Sequence, residues 1–593
     1  MRQLAGRRPK TVRFQSSGLG SRRPALTSVP VAGRRTTMFT RHMKKARLLR
    51  SVTPLAATLA ALLCSASLVL AASVLSVTNA ANDPFAACTV GDGTGRNYVL
   101  SEVEPFAAIN PTNAASIITV QQQDRWDNGG AHVLTAGVSQ NGGASWTVRA
   151  LPFSACATNS PADLRYERAS DPWVSFGPGT PSDPNGTTAY TVSLSFNQSP
   201  GKNGNTVGAA VSYDGGLTWQ HAQSLRGDAA TEVPLPVPDS NFQYFHDKES
   251  VTADPTRPGH AYVVWDVLIG PNMRVEADLH AAAFTDYTLF SRTEDFGQTW
   301  TPARIINRSI NKSNGQNNQT IGNVIVVDPL TGTLYNFFDQ IYNTGSNAGG
   351  NPGGKHGFNV AVQSSIDRGN NWSSPTLISA LLTVGVADPN NVDPRTNKPP
   401  APVRTGDILP MPAVDARTGD LYVVWQDARF SGHDEIVIST FDKATGTWTE
   451  PKRVSTPTGQ PAFTAAVAVS SSGQIGVSYY QLLATSLGSM PTNYVIKTFS
   501  RATLLADSSN SIDTSVGATL VNRFNMLDAP FASGYFTGDY EALATSGASF
   551  VPVFVQGTCG NMLSCRALTS VIPPADRTPT GNNSTDVFIG LGF

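Results

Sequence analysis

Several short clusters combine side chains that could do chemistry. Asp247-Lys248-Glu249 and Asp539-Tyr540-Glu541 each place two carboxylates beside a further polar group. Asp124-Arg125-Trp126, Arg168 with Asp171, and Asp427 with Arg429 add guanidinium groups and an aromatic ring, and Glu102, Glu104 and Asp407 add carboxylates. Paired carboxylates can act as acid and base at a glycosidic bond. Guanidinium groups bind carboxylates through two parallel hydrogen bonds. Arginine, acid and aromatic side chains together suit sugar binding or hydrolysis, if the fold gathers them in one concavity. The histidines at 246, 260, 280, 356 and 433 lack metal-ligand spacing, and no nucleotide-binding glycine loop or G-x-S-x-G turn is present. A ring of carboxylates could hold Ca2+ through hard oxygen ligands, without an EF-hand loop to support it; no other cofactor is expected.

The elements that would gather these residues follow from a repeat. Ser139-x-Asn141-x-Gly143-x-Ser145-Trp146, Ser212-x-Asp214-x-Gly216-x-Thr218-Trp219, Thr293-x-Asp295-x-Gly297-x-Thr299-Trp300 and Ser365-x-Asp367-x-Gly369-x-Asn371-Trp372 share one pattern. A looser copy runs from Thr440 through Asp442 to Trp448 with one extra residue. In such a turn the acid accepts backbone N–H groups, glycine takes a positive φ, and tryptophan covers the turn. These acids are structural, not general acids. Upstream, apolar runs such as Tyr262-Val263-Val264-Trp265 and Tyr422-Val423-Val424-Trp425 read as strands buried on both faces. Unit starts fall near Glu104, Asp171, Glu249, Asn323, Pro410, Ala462 and Tyr540.

The four-to-five-fold pattern resembles the Asp-box (BNR repeat) of sialidases and related β-propellers. The resemblance implies an all-β, sialidase-like propeller of six or seven four-stranded blades; the motif count leans to seven. The box turn joins a blade's third and fourth strands, and Tyr98-Val99-Leu100 is expected to complete the last blade and close the ring. That blade is expected to contain Asp539–Val555 and 563–570. The first strands would then ring one face with their leading ends. That face would gather Asp247, Glu249, Asp539, Tyr540 and Glu541 as catalytic candidates. It would also gather Asp124, Arg125, Arg168, Asp427 and Arg429 as substrate-binding candidates.

Sialidases clamp the substrate carboxylate with three arginines and use a tyrosine nucleophile activated by a glutamate. By resemblance, Arg125, Arg168 and Arg429 would form the clamp and Tyr540 the nucleophile. Glu541, its sequence neighbour, would point the opposite way on a strand, so Glu249 could serve as the base instead. Where the family carries F/Y-R-I-P, this chain has Val103-Glu104-Pro105-Phe106, with Glu in place of Arg. The implied function is an exported carbohydrate-active protein, similar to exo-α-sialidases, hydrolysing terminal acidic sugars. The alternatives are a non-catalytic propeller binding a glycan or protein at the cell surface, or another glycosidase or a lyase working through paired carboxylates such as Asp247 and Asp539.

Composition agrees with short strands and many turns: charged residues are only 15%, against 52 Gly and 40 Pro. The balance of 43 basic and 43 acidic residues is uneven along the chain. Residues 1–50 carry eleven Arg and three Lys and no acid, so the rest holds 29 basic against 43 acidic groups, near −14. Such a charge excludes nucleic acid or an anionic membrane as the main partner. The basic head and the apolar run Leu55–Val77, followed by Thr78-Asn79-Ala80, read as an export signal or an uncleaved anchor. We therefore expect residues 1–80 to form a basic extension and signal, and 81–593 a single propeller domain, secreted or at the cell surface. A glycan or glycoconjugate is the expected partner, and a monomer the expected state. Beyond the signal, Cys88, Cys156, Cys559 and Cys565 allow three disulfide connectivities. Cys88–Cys156 and Cys559–Cys565 are the pairing we favour.

Overall fold

The strand order follows from alternating runs of β-branched and aromatic residues separated by Gly- and Asp-rich turns. The computed structural model describes residues 72–78, 85, 87–200, 202, 204–226, 243–270, 285–308, 318–344, 355–506, 517–558 and 583–593. Among these residues helix is confined to Arg501–Leu505 and two short 3₁₀ turns, and no helix is long and apolar enough to cross a membrane.

The strands group into antiparallel four-strand units, each running outward from its first strand. The first unit comprises Asn97–Ile109, Ile117–Trp126, Ala131–Ser139 and Thr147–Ala150. The second runs from Arg168–Phe176 to Gln220–Arg226, the third from Gln243–Ala253 to Arg304–Asn307, and the fourth from Gln319–Val327 to Thr376–Ala380. The fifth runs from Met411–Val414 to Thr447–Trp448 and the sixth from Ala462–Val469 to Thr519–Asn525. The last contains Ala542–Ser546, Ser549–Gly557 and Thr585–Leu591. Each first strand touches the first strand of the next unit, and Ala542–Ser546 touches Asn97–Ile109, so the inner strands form a closed cycle. The fold is a β-propeller; its first strands begin near the expected unit starts, but earlier in the first and third units, at Asn97 and Gln243 in place of Glu104 and Glu249.

The closing strand differs from expectation. Tyr98-Val99-Leu100 belongs to the first strand of the first unit. The outermost strand of the last unit is Ser73–Ser76, antiparallel to Thr585–Leu591 from Ser73↔Leu591 to Ser76↔Phe588. This strand lies within the apolar run read as an export signal, so the propeller takes in residues upstream of 81. Pairing Ser73–Ser76 with Thr585–Leu591 covers a sheet edge and links two segments far apart in the chain. The segment 563–570, expected in the last unit, lies outside the described residues; its third strand is Thr585–Leu591.

The repeat turns join third to fourth strands as the pattern requires. In each of four, the glycine N–H donates to the first Ser or Thr hydroxyl, at 2.8 Å for Gly143, Gly216 and Gly369 and 2.9 Å for Gly297. Oδ1 of Asn141, Asp214, Asp295 and Asp367 accepts the N–H of Ser145, Thr218, Thr299 and Asn371, respectively. The looser copy does other work: Asp442 accepts from Arg501 Nη2 at 2.6 Å, bridging to the sixth unit. The registers Ile109↔Ile117 and Ile117↔Ser139 put these turns at the end opposite the first strands' leading ends.

One disulfide, Cys88–Cys156, joins the segment ahead of the first unit to the loop after its fourth strand. Cys559 and Cys565 lie outside the described residues. A further three-stranded sheet was not anticipated. It combines Val386–Asp388 and Ala401–Arg404, from the connection between the fourth and fifth units, with Tyr535–Phe536, from that between the sixth and seventh. Val386, Ala401 and Val403 pack into the sixth-unit core with Phe463, Tyr480 and Tyr494.

Deleting Ser73–Ser76 exposes the edge of Thr585–Leu591 and opens the ring's outer seam. We expect thermal unfolding to move down by about 2 °C or more, with Tm by calorimetry as the measurement.

Candidate functional site

The leading ends of the first strands are bulged, and the bulges set where charges point. The register breaks between Val103 and Phe106, Ser170 and Trp173, Asp247 and Ser250, Ile321 and Val324, and Phe463 and Ala466. At these breaks stand Glu104, Asp171, Lys248, Gly322 and Thr464, with φ of 53°, 52°, 51°, 71° and 49°. Only the glycine adopts this left-handed conformation without cost. Bulges re-aim side chains, and strained backbone persists where the surroundings over-determine it.

Three of these side chains meet. Lys248 Nζ lies 2.8 Å from Asp539 Oδ2, 3.3 Å from Asp171 Oδ2 and 3.7 Å from Glu104 Oε1. Asp539 is also held in a fork by Arg404, with Nε at 3.1 Å and Nη2 at 2.7 Å. Gln122 donates to Glu104, and also to Ser170 at 3.0 Å. Arg125 and Arg404 both lie over the Phe536 ring, at 4.9 and 4.4 Å. The inserted sheet therefore closes this face: Glu104 N–H donates to Thr537 O at 3.1 Å. Lys248, Asp171, Glu104 and Asp539 have side chains no more than 9% exposed.

The electrostatics follow the packing. Burial raises the Glu104 carboxyl well above its ordinary range, and neighbouring Asp171 adds to this. Burial opposes the charge on Asp539 too, but Arg404 and Lys248 overcome it and hold that carboxyl far below its usual range. For Lys248, burial is outweighed by Asp171 and Asp539, which raise its pKa well above the ordinary value. Burial, then Arg404, brings Arg125 down to about 10.

The other expected site residues divide. Tyr540 donates its hydroxyl to Pro172 O at 3.1 Å and packs against Trp173, 5.2 Å between ring centres. Burial raises its pKa, opposite to what a phenolate nucleophile needs. Glu541 faces elsewhere, accepting the Tyr480 hydroxyl at 2.5 Å. Both oxygens of Glu249 are buried without a hydrogen-bond partner, beside a small cavity of ≈ 20 Å³ that Tyr540 also lines. Burial raises its pKa. Glu249 and Tyr540 thus neighbour the same space without the expected hydrogen bond. Asp247 pairs in register with Asp266 and caps Lys248 N–H at 3.0 Å.

The expected arginine clamp is not assembled. Arg125 donates to Gln122 and Gly130 O. Arg168 donates to Asn128, Gly129 O and Thr94 and lies over Trp126 at 4.4 Å. Arg429 is locked to Asp427 in the fifth unit, 2.7 Å from Nε to Oδ1, and reaches back to Ser379 in the fourth. Asp427 also accepts from Trp425, and Asp124 accepts Leu100 N–H at 2.9 Å, so both acids pin local structure. Arg404, which does grip a carboxylate, sits in the inserted sheet, outside the repeat that guided the sequence reading. As for Ca2+, the Lys248 ammonium occupies the space among the axial carboxylates. Among the described residues no group of three or more His, Cys, Asp or Glu is arranged to hold a metal.

Beside this closed axis, on the same face, lies a cavity of ≈ 310 Å³. Its walls come from the start of the first unit (Arg96, Tyr98), the turn after that unit's second strand (Asp127), the 391–395 loop, Leu487, and the segment from Leu527 to Tyr535. No family model and no curated protein matches the chain. Solved structures similar to it include the α-L-arabinofuranosidase of Fusarium graminearum in complex with arabinobiose, at 13% identity and TM-score 0.36, covering 65% of this chain and 93% of that one. A Hadza microbial sialidase is similar at 14% identity and TM-score 0.38, covering 72% and 71%. Trypanosoma rangeli sialidase bound to the inhibitor DANA is similar at 13% identity and TM-score 0.35, covering 65% and 53%. Identities this low, with TM-scores below 0.5, carry neither substrate nor site residues over to this chain.

Replacing Lys248 with Met leaves three buried carboxylates without their shared cation. We expect a loss of about 3–5 kcal/mol in urea unfolding at neutral pH. Asp407, near the same face, is pushed up to about 6 by burial and then by Asp434. Because its folded value lies above the unfolded one, its ionisation costs stability as pH rises from about 4 to 6. Asp407→Asn should therefore stabilise the protein above about pH 6 and leave it unchanged near pH 4, read from urea midpoints across that range.

Proposed function

We propose that this chain is an exported carbohydrate-binding propeller that does not hydrolyse its ligand. The observation that carries the reading is the axial ion cluster. Glu104, Asp171 and Asp539, which stand where the first strands converge, are buried and neutralised by Lys248 and Arg404. A general acid or base must reach the substrate within hydrogen-bonding distance, and these carboxylates are buried and engaged by Lys248 and Arg404, with Thr537 O bonded to Glu104 N–H. The cavity beside the axis supports a carbohydrate ligand, because aromatic rings and planar polar groups line it together. The Cys88–Cys156 disulfide accords with export to an oxidising compartment.

A second reading, hydrolysis of terminal acidic sugars in the manner of exo-sialidases, draws on one feature. The Arg404 fork already holds a carboxylate, that of Asp539, and a ligand carboxylate could displace it if the inserted sheet lifted.

The two readings separate in one comparison. The purified protein should bind glycans on an array yet release no fluorophore from a 4-methylumbelliferyl sialoside between pH 4 and 8. Turnover by the wild-type protein that Arg404→Ala abolishes would establish the second reading and remove the first.

A further inference from the structure

We infer that the ≈ 310 Å³ cavity beside the axis is the ligand site and that it takes a neutral sugar ring, not an acidic one. This rests on the carbohydrate-binding reading above and adds the place and the class of sugar. The volume sits at the low end of small-molecule sites, about 300–1,000 Å³, so it suits one or two rings of a glycan end.

The charge on the cavity wall is already balanced. Arg395 grips Asp393 in a fork, with Nη2 to Oδ2 at 2.8 Å. Arg96 stands beside Asp127, whose Oδ1 accepts the Arg96 backbone N–H at 2.9 Å. Each cation thus has its own carboxylate close by. An anionic sugar entering this space would be drawn by no net positive charge, whereas hydroxyl groups need none. Planar guanidinium and carboxylate groups offer paired donors and acceptors that match neighbouring sugar hydroxyls.

Each of these arginines also lies over an aromatic ring. Arg96 lies over the Tyr98 ring at 4.5 Å, and Arg395 over the Phe531 ring at 5.3 Å. Tyr535 meets Phe531 edge to face, with centroids 5.4 Å apart at 89°. Stacking and ion pairing together fix the donors before a ligand arrives, which spares the ordering cost that weakens binding by flexible surface groups. Tyr535 is half-buried, and Leu487, 74% exposed, stands at the rim. These surfaces give the C–H faces of a pyranose apolar contacts beside the polar groups. The wall draws on the first unit, the inserted loop around 391–395, the loop carrying Leu487 and the segment leading into the last unit. It is therefore a product of closure and insertion, not of any one repeat.

The test uses the full-length protein on an array displaying both neutral and sialylated glycans, followed by titration calorimetry with the methyl glycoside of the preferred neutral sugar. We expect neutral termini to bind and Arg395→Ala and Tyr535→Ala to weaken binding at least about tenfold. Leu487→Asp, at an exposed position that leaves the core untouched, should weaken it as well, with Tm unchanged in that variant. Binding to neutral sugars that survives all three substitutions overturns the site while leaving the carbohydrate reading intact. Binding confined to sialylated glycans overturns the neutral class. Absence of binding to any glycan by the wild-type protein overturns the carbohydrate reading and this inference with it.

Discussion

A lysine ammonium shared among three carboxylates, out of reach of solvent, constrains the centre of this propeller. Desolvating such charges is costly unless the geometry brings them into close contact. Here contact is achieved by bulges that force Glu104, Asp171 and Lys248 into left-handed backbone conformations. The strain at those residues and the desolvation of their charges are both costs, and the ion pairs that the bulges bring together offset them. Because the charges come from the first, second, third and last units, the cluster forms only when the ring is closed. It therefore couples ring closure to electrostatics.

The same cluster explains the inserted sheet. Arg404 completes the charge balance by forking onto Asp539, and Phe536 lies against both Arg404 and Arg125. Strands that take no part in the ring are thereby fixed over its axis. Gly406 is needed at that contact, since a Cβ there would run into the Asp539 carbonyl. What resembles an open, charged channel end in the sequence is an occupied one in the structure. The free volume lies beside it, bounded by the aromatic and arginine side chains that the insertion brings against the first unit.

The opposite face obeys a simpler rule. Four turns repeat one set of hydrogen bonds, each local to eight residues. The carboxylates are held in their charged form there: burial of Asp214 and Asp295 is outweighed by donors from Thr218 and Thr299, and donors from Asn371 bring Asp367 down to about 2. Such turns need nothing from the rest of the fold. Asp442, in the copy with an extra residue, loses the pattern and is recruited by Arg501 from the neighbouring unit instead.

The sequence by itself determined what local spacing can encode: the four repeat turns, the buried strands, the starting points of the units and the pairing of Cys88 with Cys156 as one of three options. Each depends on residues near one another in the chain or on a period that repeats. The partners of Lys248, the fork of Arg404 onto Asp539, and closure by Ser73–Ser76 in place of Tyr98-Val99-Leu100 were decided only by tertiary structure. Those contacts join residues up to hundreds of positions apart, and their strength comes from exclusion of water, which no local pattern records. Arg404 and Tyr535 carried no motif at all. They became neighbours of the axis and of the cavity because two long connections pair as strands above a ring that the repeats alone had drawn.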